Sequence, residues 1–194
     1  MQPSPLVLAS ASPRRKELLD SLGILFDVQV AAITEDDRPH LDPQFLVMNN
    51  AALKAEAVMH LRPNALVLGS DTTVALEGRI FSKPKDNAEA LSMLRALSGK
   101  WHSVYTAVSL RWREGDFKED FFEVSQVEFK RLSDSEIINY HAIVNPLDKA
   151  GAYGIQEASD RIIKGIKGSF ETIMGLPTES LEACFKKHGF DFSK

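Results

Sequence analysis

The chain has 194 residues, of which 44% are hydrophobic and 26% charged, and its formal net charge is −4. This composition is typical of a soluble globular protein, and the length suffices for one sizeable core or for a large domain with a small lobe. A general nucleic-acid-binding protein would normally carry a basic excess, so the charge argues against that class. Basic residues gathered at one place in an acidic protein suit a small anionic ligand instead.

The single cysteine, Cys184, excludes an internal disulfide and a multi-cysteine metal site, and it suits a reducing compartment. The N-terminal residues show no basic segment followed by a long apolar stretch, so we expect no signal peptide. No apolar run is long enough to span a bilayer. We therefore expect a cytoplasmic protein that has no membrane partner.

The first strand and helix of the chain place basic residues at an unusual position. The apolar run from Leu6 predicts a buried strand, and Ser12 and Pro13 suit the start of a helix that ends near Gly23. The first turn, where the helix dipole favours carboxylates, carries Arg14, Arg15 and Lys16. An anion bound there would meet free N–H groups, guanidinium groups and the Ser10 hydroxyl. The alternative is a solvated basic turn.

An acidic loop follows the second predicted strand, which covers residues 26–30. The loop carries three successive carboxylates, Glu35, Asp36 and Asp37. Such a loop is either solvated or holds a divalent cation, which takes oxygen ligands and partners phosphates.

A long helix is predicted from Asp42 to about Leu61, and it carries one lysine beside its apolar stripe. The stripe is expected to consist of Leu46, Leu53, Ala57 and Leu61, flanked by Val47 and Val58. Lys54 lies at the edge of the stripe, either as a side chain that extends to water or as a partly buried ammonium that needs an anion.

The segment Ala65–Leu76 contains two apolar runs, predicted as strands, around the polar residues 70–73. Within it, Asp71 would be costly to bury unless it were hydrogen-bonded, paired or used in chemistry. It is a candidate general base or metal ligand; the alternative is a carboxylate that caps a turn. After a tight turn at Glu77-Gly78, the chain returns through Ile80-Phe81 to Lys83, a second lysine in a loop.

The rest of the chain predicts helices, a hairpin and a glycine-containing loop. Helices are expected at residues 86–97, 133–144 and 178–188, the first two beginning with capping boxes. Strands are expected at residues 101–110, 121–129, 162–166 and 170–174, with a charged connection over 111–120.

The glycine-containing loop covers residues 146–156. In it, Gly151 and Gly154 allow either the close approach of a ligand or simply tight turns, and the side chains of Lys149 and Gln156 could hydrogen-bond to the edge of a nucleotide base. Alternating helices and strands followed by a hairpin predict an α/β fold with a mixed sheet. With no internal repeat and no linker, residues 1–194 are expected to form a single domain.

Seven segments form one series of motifs along the chain: Ser10–Arg15, Leu53–Ala55, Gly69–Val74, Lys83–Pro84, Leu97–Gly99 with His102 and Thr106, Asp148–Gln156, and Gly175–Pro177. In this order and spacing they resemble the Maf family of nucleoside triphosphate pyrophosphatases. The resemblance implies a mixed, strongly twisted sheet with flanking helices, related to inosine triphosphatases, with two lobes around a cleft. It also implies hydrolysis of the α–β bond of a nucleoside triphosphate with a divalent cation, Mg²⁺ or Mn²⁺. A homodimer would be in keeping with the family.

The resemblance assigns a role to each candidate residue. Asp71 falls at the position of the family's proton acceptor, where it would deprotonate the attacking water. Glu35 matches an acidic position that helps to bind the metal, together with Asp71. The phosphate oxygens would be held by Ser10, Arg14, Arg15, Lys54 and Lys83.

The segment 149–156 is similar to the family branch that acts on dTTP and UTP. Arg14, Thr72 and Gln156 fall where that branch has its specificity residues, and the Gln156 amide can pair with both a ring N–H and a carbonyl of the base. Glu157 departs from a common glycine and adds a carboxylate beside the expected base pocket. The alternatives are a 7-methyl-GTP pyrophosphatase and a nucleotide-binding regulator of septation with little activity.

Overall fold

The computed structural model describes residues 2–30 and 32–194, which form a mixed sheet with helices packed against it. In these ranges the strands are β1 Leu6–Leu8, β2 Phe26–Val28, β3 Leu66–Leu76, β4 Arg79–Phe81, β5 Trp101–Trp112, β6 Phe117–Phe129 and β7 Ile163–Lys167. The α-helices are α1 Pro13–Ser21, α2 Pro43–Met59, α3 Asn87–Leu97, α4 Asp134–His141, α5 Ser159–Ile162, α6 Phe170–Met174 and α7 Thr178–His188, and a short 3₁₀-helix covers Ala150–Ala152.

The strand order is β2-β1-β3-β5-β6-β7, and β4 pairs with β3. β1 runs parallel to both β2 and β3, because a helix crosses over between each strand and the next. The remaining pairs are antiparallel, and the β3–β4 and β5–β6 pairs are hairpins joined by short turns. The predicted α/β fold with a mixed sheet is confirmed.

The polar residues 70–73 do not separate two strands, as the sequence had predicted; they lie in the middle of one eleven-residue strand, β3. Residues 67–75 pair with β5 along one side. On the other side, β1 covers only residues 66–68 and β4 covers only 74–76. Within the described residues, Gly69 to Thr73 thus has a strand on one side only. This gap in the sheet leaves room for a site beside Asp71.

The buried face of α2 agrees only in part with the predicted stripe. Leu46 is buried, as are the flanking Val47 and Val58, but Leu53 and Leu61 are exposed. The other buried residues of the helix are Asn50, Ala51, Lys54 and Ala55. The two alanines let α2 approach β3 closely, since a Cβ on Gly69 would collide with the backbone of Ala51 and Ala55. The close approach leaves no room for larger side chains at positions 51 and 55, and Lys54 points into the protein.

Two further predictions were wrong. The hairpin connection is shorter than the predicted 111–120: β5 and β6 extend into that region and leave residues 113–116 between them, and the buried Arg111 guanidinium pairs with Asp120 at 2.6 Å. Residues 170–174 form α6 rather than a strand. The Ser169 hydroxyl accepts a hydrogen bond from Thr172 N, which caps this helix, and a short apolar run alone does not distinguish a strand from a helix.

Helices α1, α3, α4 and α7 lie close to their predicted positions, and the Ser133 capping box is present. Ser12 occupies the N-cap of α1, but its side chain makes no capping hydrogen bond. None of the helices in residues 2–30 and 32–194 combines the length and the hydropathy that crossing a membrane requires.

His102 on β5 is buried in the core beside two aromatic rings. Its Nε2 lies 2.8 Å from the Tyr153 hydroxyl, and its ring packs edge-on against Phe129. Burial lowers the pKa of His102 from 6.5 to about 4, so the folded protein holds a neutral imidazole at neutral pH.

This burial predicts a pH-dependent loss of stability. Because the pKa is lower in the folded state, the contribution of His102 is complete above pH 6.5 and is lost as the pH falls towards 4, costing about 2 kcal/mol at pH 5. In His102→Gln, the fall in unfolding free energy between pH 7.5 and pH 5 should be smaller by that amount, measured by urea denaturation. His60→Gln, at an exposed histidine, should keep the wild-type pH dependence.

Candidate active site

A cavity of about 310 Å³ opens beside the gap in the sheet. Its walls come from the turn between β1 and α1, from α2, from the middle of β3, from the loop after β4 and from residues 148–155. Eight of the predicted site residues line it: Ser10, Arg14, Arg15, Glu35, Lys54, Asp71, Thr72 and Lys83. The fold therefore brings residues from separate parts of the sequence to one place.

The base of the cavity holds a cluster of three charged side chains. The Lys54 ammonium lies 2.6 Å from Asp71 Oδ1 and 2.8 Å from Glu35 Oε2. Lys54 and Asp71 are each 7% exposed, so neither is a surface side chain. The solvated alternative for Lys54 was wrong: it is the buried ammonium paired with an anion.

The environment moves the pKa values of the two carboxyl groups in opposite directions. Burial raises the pKa of Asp71, and the Lys54 ammonium only partly opposes that rise. Burial also acts to raise the pKa of Glu35, but the charges of Lys54 and Lys83 outweigh it and lower that pKa. Asp71 is thus the better proton acceptor of the two, while Glu35 stays ionised.

Asn50, which the sequence analysis did not single out, ties the acidic loop to Asp71. It is 2% exposed; its Nδ2 donates to Asp71 Oδ2 at 3.1 Å and to the Asp36 carbonyl at 2.9 Å. Its Oδ1 accepts a hydrogen bond from Asp36 N. A signal was present in the sequence: Asn50 lies one helical turn before Lys54, so both side chains share one face of α2.

Arg15 is buried and connects three segments around the cavity by hydrogen bonds. Its Nε donates to the Gly175 carbonyl at 2.8 Å, and its other two nitrogens donate to Ser10 Oγ and Thr72 Oγ1. Burial lowers the pKa of Arg15, and the negative charges of Asp71 and Glu35 oppose that effect. Each nitrogen of Arg15 already has a protein acceptor, which is a different arrangement from the free phosphate ligand that the sequence predicted.

Thr72 is held by a chain of hydroxyl groups. Thr106 Oγ1 donates to the Thr172 carbonyl at 2.7 Å, so the Thr72 hydroxyl donates to Thr106 Oγ1 at 3.0 Å. Thr72 Oγ1 in turn accepts from Arg15. The hydroxyl is therefore fixed in direction.

The remaining candidates surround the mouth of the cavity. Arg14 donates to the side chain and the carbonyl of Asp148, at 3.1 and 3.2 Å. The buried Lys149 ammonium pairs with Asp148 and also with Glu157, so the unusual carboxylate at position 157 is matched by a cation. Lys83 is exposed and lines the cavity.

Gln156 does not lie where a base-reading amide was expected. It is outside the cavity lining, and its Nε2 donates to Glu17 Oε1 at 3.1 Å on the surface. Its neighbours Gly154 and Ile155 do line the cavity. The chain thus passes the cavity at this point, but the Gln156 side chain faces away from it.

The chemistry of the two acidic side chains fits a hard divalent cation. Glu35 and Asp71 both line the cavity, and the Glu35 side chain is 41% exposed. Mg²⁺ in proteins is bound by one or two carboxylates together with water and substrate phosphates. This donor set meets that requirement.

Comparison with known proteins identifies the family of this chain. The family model described as "Maf-like protein" matches residues 5–188. The chain belongs to the Maf family. Two relatives named dTTP/UTP pyrophosphatase come from Akkermansia muciniphila, at 41% identity over 96% of this chain and 97% of that protein, and from Bacillus pumilus, at 43% identity over 89% and 90%.

A solved structure shares the fold. The Staphylococcus aureus Ham1 protein superposes with a TM-score of 0.54 at 15% identity, covering 94% of this chain and 98% of that one. At this identity the likeness concerns the fold alone. It confirms the expected architecture of this Maf protein.

Replacing Lys54 tests how far the stability of the buried cluster depends on the Lys54 ammonium. In Lys54→Met, Asp71 stays buried opposite Glu35 without the cation that contacts it, and the unfolding free energy should fall by about 3 kcal/mol. Asp71→Asn in the same chain should restore part of the loss, because a neutral amide needs no cation. Urea denaturation of the wild type, both single variants and the double variant gives the coupling; simply additive losses would contradict the direct pairing.

Proposed function

We propose that this protein is a nucleoside triphosphate pyrophosphatase that hydrolyses the α–β bond of dTTP and UTP, giving the monophosphate and pyrophosphate. The observation that carries the proposal is the buried Asp71–Lys54–Glu35 cluster at the base of a cavity with further cations at its mouth. Triphosphate hydrolysis needs a positioned water, a proton acceptor and neutralisation of phosphate charge. The names of the relatives support the substrate.

In this mechanism Asp71 takes the proton of the attacking water. The water oxygen forms a new bond to the α-phosphorus. The bond between the α-phosphorus and the oxygen that bridges it to the β-phosphate breaks, and pyrophosphate leaves. The raised pKa of Asp71 makes it a stronger base than an exposed aspartate. Lys54 holds the Asp71 carboxylate at 2.6 Å in one orientation, which fixes the direction from which the proton is accepted.

The phosphate charge is neutralised by side chains on different walls of the cavity. Lys83 and Arg14 lie at the mouth, and the N-terminal N–H groups of α1 add their dipole to the same space. Arg15 acts by holding Ser10 and Thr72 in place.

Glu35 and Asp71 would also hold a divalent cation, Mg²⁺ or Mn²⁺, which supplies further neutralisation of phosphate charge when bound. Glu35 suits this task because its lowered pKa keeps it ionised. Addition of a chelator should then stop turnover, and either ion should restore it.

Base selection is assigned to Arg14, Thr72 and Gln156. Thr72 is fixed by its hydroxyl chain, whereas Arg14 and Gln156 hold protein partners, Asp148 and Glu17. Both would exchange those partners for the nucleotide. Since Gln156 follows two residues of the cavity wall, its side chain would have to leave Glu17 and adopt another rotamer to contact the base.

The test is pyrophosphate release from a panel of dTTP, UTP, CTP, GTP and 7-methyl-GTP with Mg²⁺ or Mn²⁺. We expect dTTP and UTP to be turned over fastest, and Asp71→Asn to lower kcat by a factor of about 10²–10⁴. Asp37→Asn is the control, because Asp37 is an exposed carboxylate in the loop that carries Glu35 and does not line the cavity.

Three outcomes would overturn this proposal. A preference for 7-methyl-GTP would reassign the substrate, and nucleotide binding without pyrophosphate release would indicate a regulatory protein. Unchanged turnover in Asp71→Asn would remove Asp71 as the base.

Asn50 is assigned a positioning role, because it contacts Asp71 and the Asp36 backbone but does not line the cavity. In Asn50→Ala, kcat should fall about tenfold while KM for the nucleotide changes little, since the substrate contacts remain. Steady-state kinetics checks this. Asn49→Ala, at the neighbouring position of α2, should leave both constants unchanged; equal losses in the two variants would indicate a general effect on the helix.

A further inference from the structure

A second group of ligating side chains lies outside the cavity, where α7 packs against β6. Glu119 on β6 and Cys184 and His188 on α7 each offer one ligand atom, and these three atoms lie within 4.8 Å of one another. Cys184 and His188 are four residues apart, so they share one face of the helix. The mechanism above uses none of the three.

The imidazole of His188 is already aimed at the carboxylate. His188 Nε2 lies 3.4 Å from Glu119 Oε2, but among the described residues this buried nitrogen has no hydrogen-bond partner. Two ligands at about 2.0–2.1 Å from a tetrahedral Zn²⁺ lie about 3.3 Å apart. The pair therefore has the separation of two zinc ligands without the geometry of a hydrogen bond.

The surroundings hold both side chains in this arrangement. The His188 ring lies edge-on to Phe117 at 4.8 Å and stacks on Phe190 at 5.9 Å, which fixes its plane. Lys187 donates to Glu119 Oε1 at 2.9 Å and leaves Oε2 for a second partner. The Cys184 sulfur lies within 4.8 Å of both other ligand atoms, so the separations exceed those expected around a zinc thiolate by at most about 1 Å.

We propose that Glu119, Cys184 and His188 form a zinc site, with water as a fourth ligand, that fastens α7 to the β5–β6 hairpin. A thiolate, an imidazole and a carboxylate together suit Zn²⁺. On binding, the Cys184 thiol gives its proton to solvent and the sulfur bonds to the metal, so no electron is transferred. Because the folded chain alone brings the three ligands together, Zn²⁺ should stabilise the protein.

The single cysteine of this chain makes the test specific. Co²⁺ is used as the probe, because a thiolate bound to Co²⁺ gives a charge-transfer absorption that carboxylates and imidazoles alone do not. Co²⁺ bound at Glu35 and Asp71 would be silent in this band. We expect the band to saturate at one Co²⁺ per chain, to disappear when Zn²⁺ is added, and to be absent in Cys184→Ser.

His188→Gln should weaken Co²⁺ binding at least tenfold, whereas His60→Gln, at the end of α2, should bind as the wild type does. Zn²⁺ should also raise the Tm of the wild type and leave that of Cys184→Ser unchanged. Absence of the thiolate band in the wild type, an unchanged band in His188→Gln, or saturation at one Co²⁺ per two chains would overturn the proposal. Pyrophosphatase activity is not needed for any of these readings.

Discussion

The contact on which the rest of the site depends is the 2.6 Å ion pair between Lys54 and Asp71. Two charges have been removed from water there, which is costly unless each has a close partner. Glu35 and Asn50 supply the further contacts that the pair requires. The close approach of α2 to β3 at Gly69 makes the pair geometrically possible, because it carries the Lys54 side chain directly over the strand. The packing of α2 against β3 therefore also determines the position of the ion pair in the cavity.

The gap in the sheet gives this ion pair access to a ligand. Since β1 ends at Leu8 and β4 begins to pair only at Val74, the centre of β3 is open on one side. The chain leaving β1 turns into α1 there, and Arg15 fastens that turn to Thr72 and Gly175. The basic first turn of α1, unfavourable for an isolated helix, is stabilised by these acceptors and by the carboxylates across the cavity. The positive charge of this turn is therefore explained by its contacts in the site and not by the helix dipole.

The order of the elements and most of the cavity lining could be predicted from the sequence, because periodicity, capping residues and the series of motifs are local signals. The buried face of α2 could be predicted only in part: Leu46, Val47 and Val58 are buried as expected, but Ala51 and Ala55 contact the strand instead of the leucines, because the helix approaches β3 closely at Gly69. The continuity of β3 was not predicted, because the polar side chains of residues 70–73 suggest an interruption between two strands. The backbone of these residues nevertheless pairs with β5. On the surface, Gln156 donates a hydrogen bond to Glu17, 139 residues away in sequence, and no local pattern reveals this contact.

The pH dependence of kcat/KM for dTTP in the wild type and in Lys54→Met tests the central claim most directly. Activity requires ionised Asp71, and the Lys54 charge lowers the pKa of that carboxyl against the effect of burial. Removal of the ammonium should therefore raise this pKa and move the acidic limb of the profile to higher pH. An acidic limb at the same pH in both proteins, with only the rate reduced, would contradict Asp71 as the base that Lys54 controls.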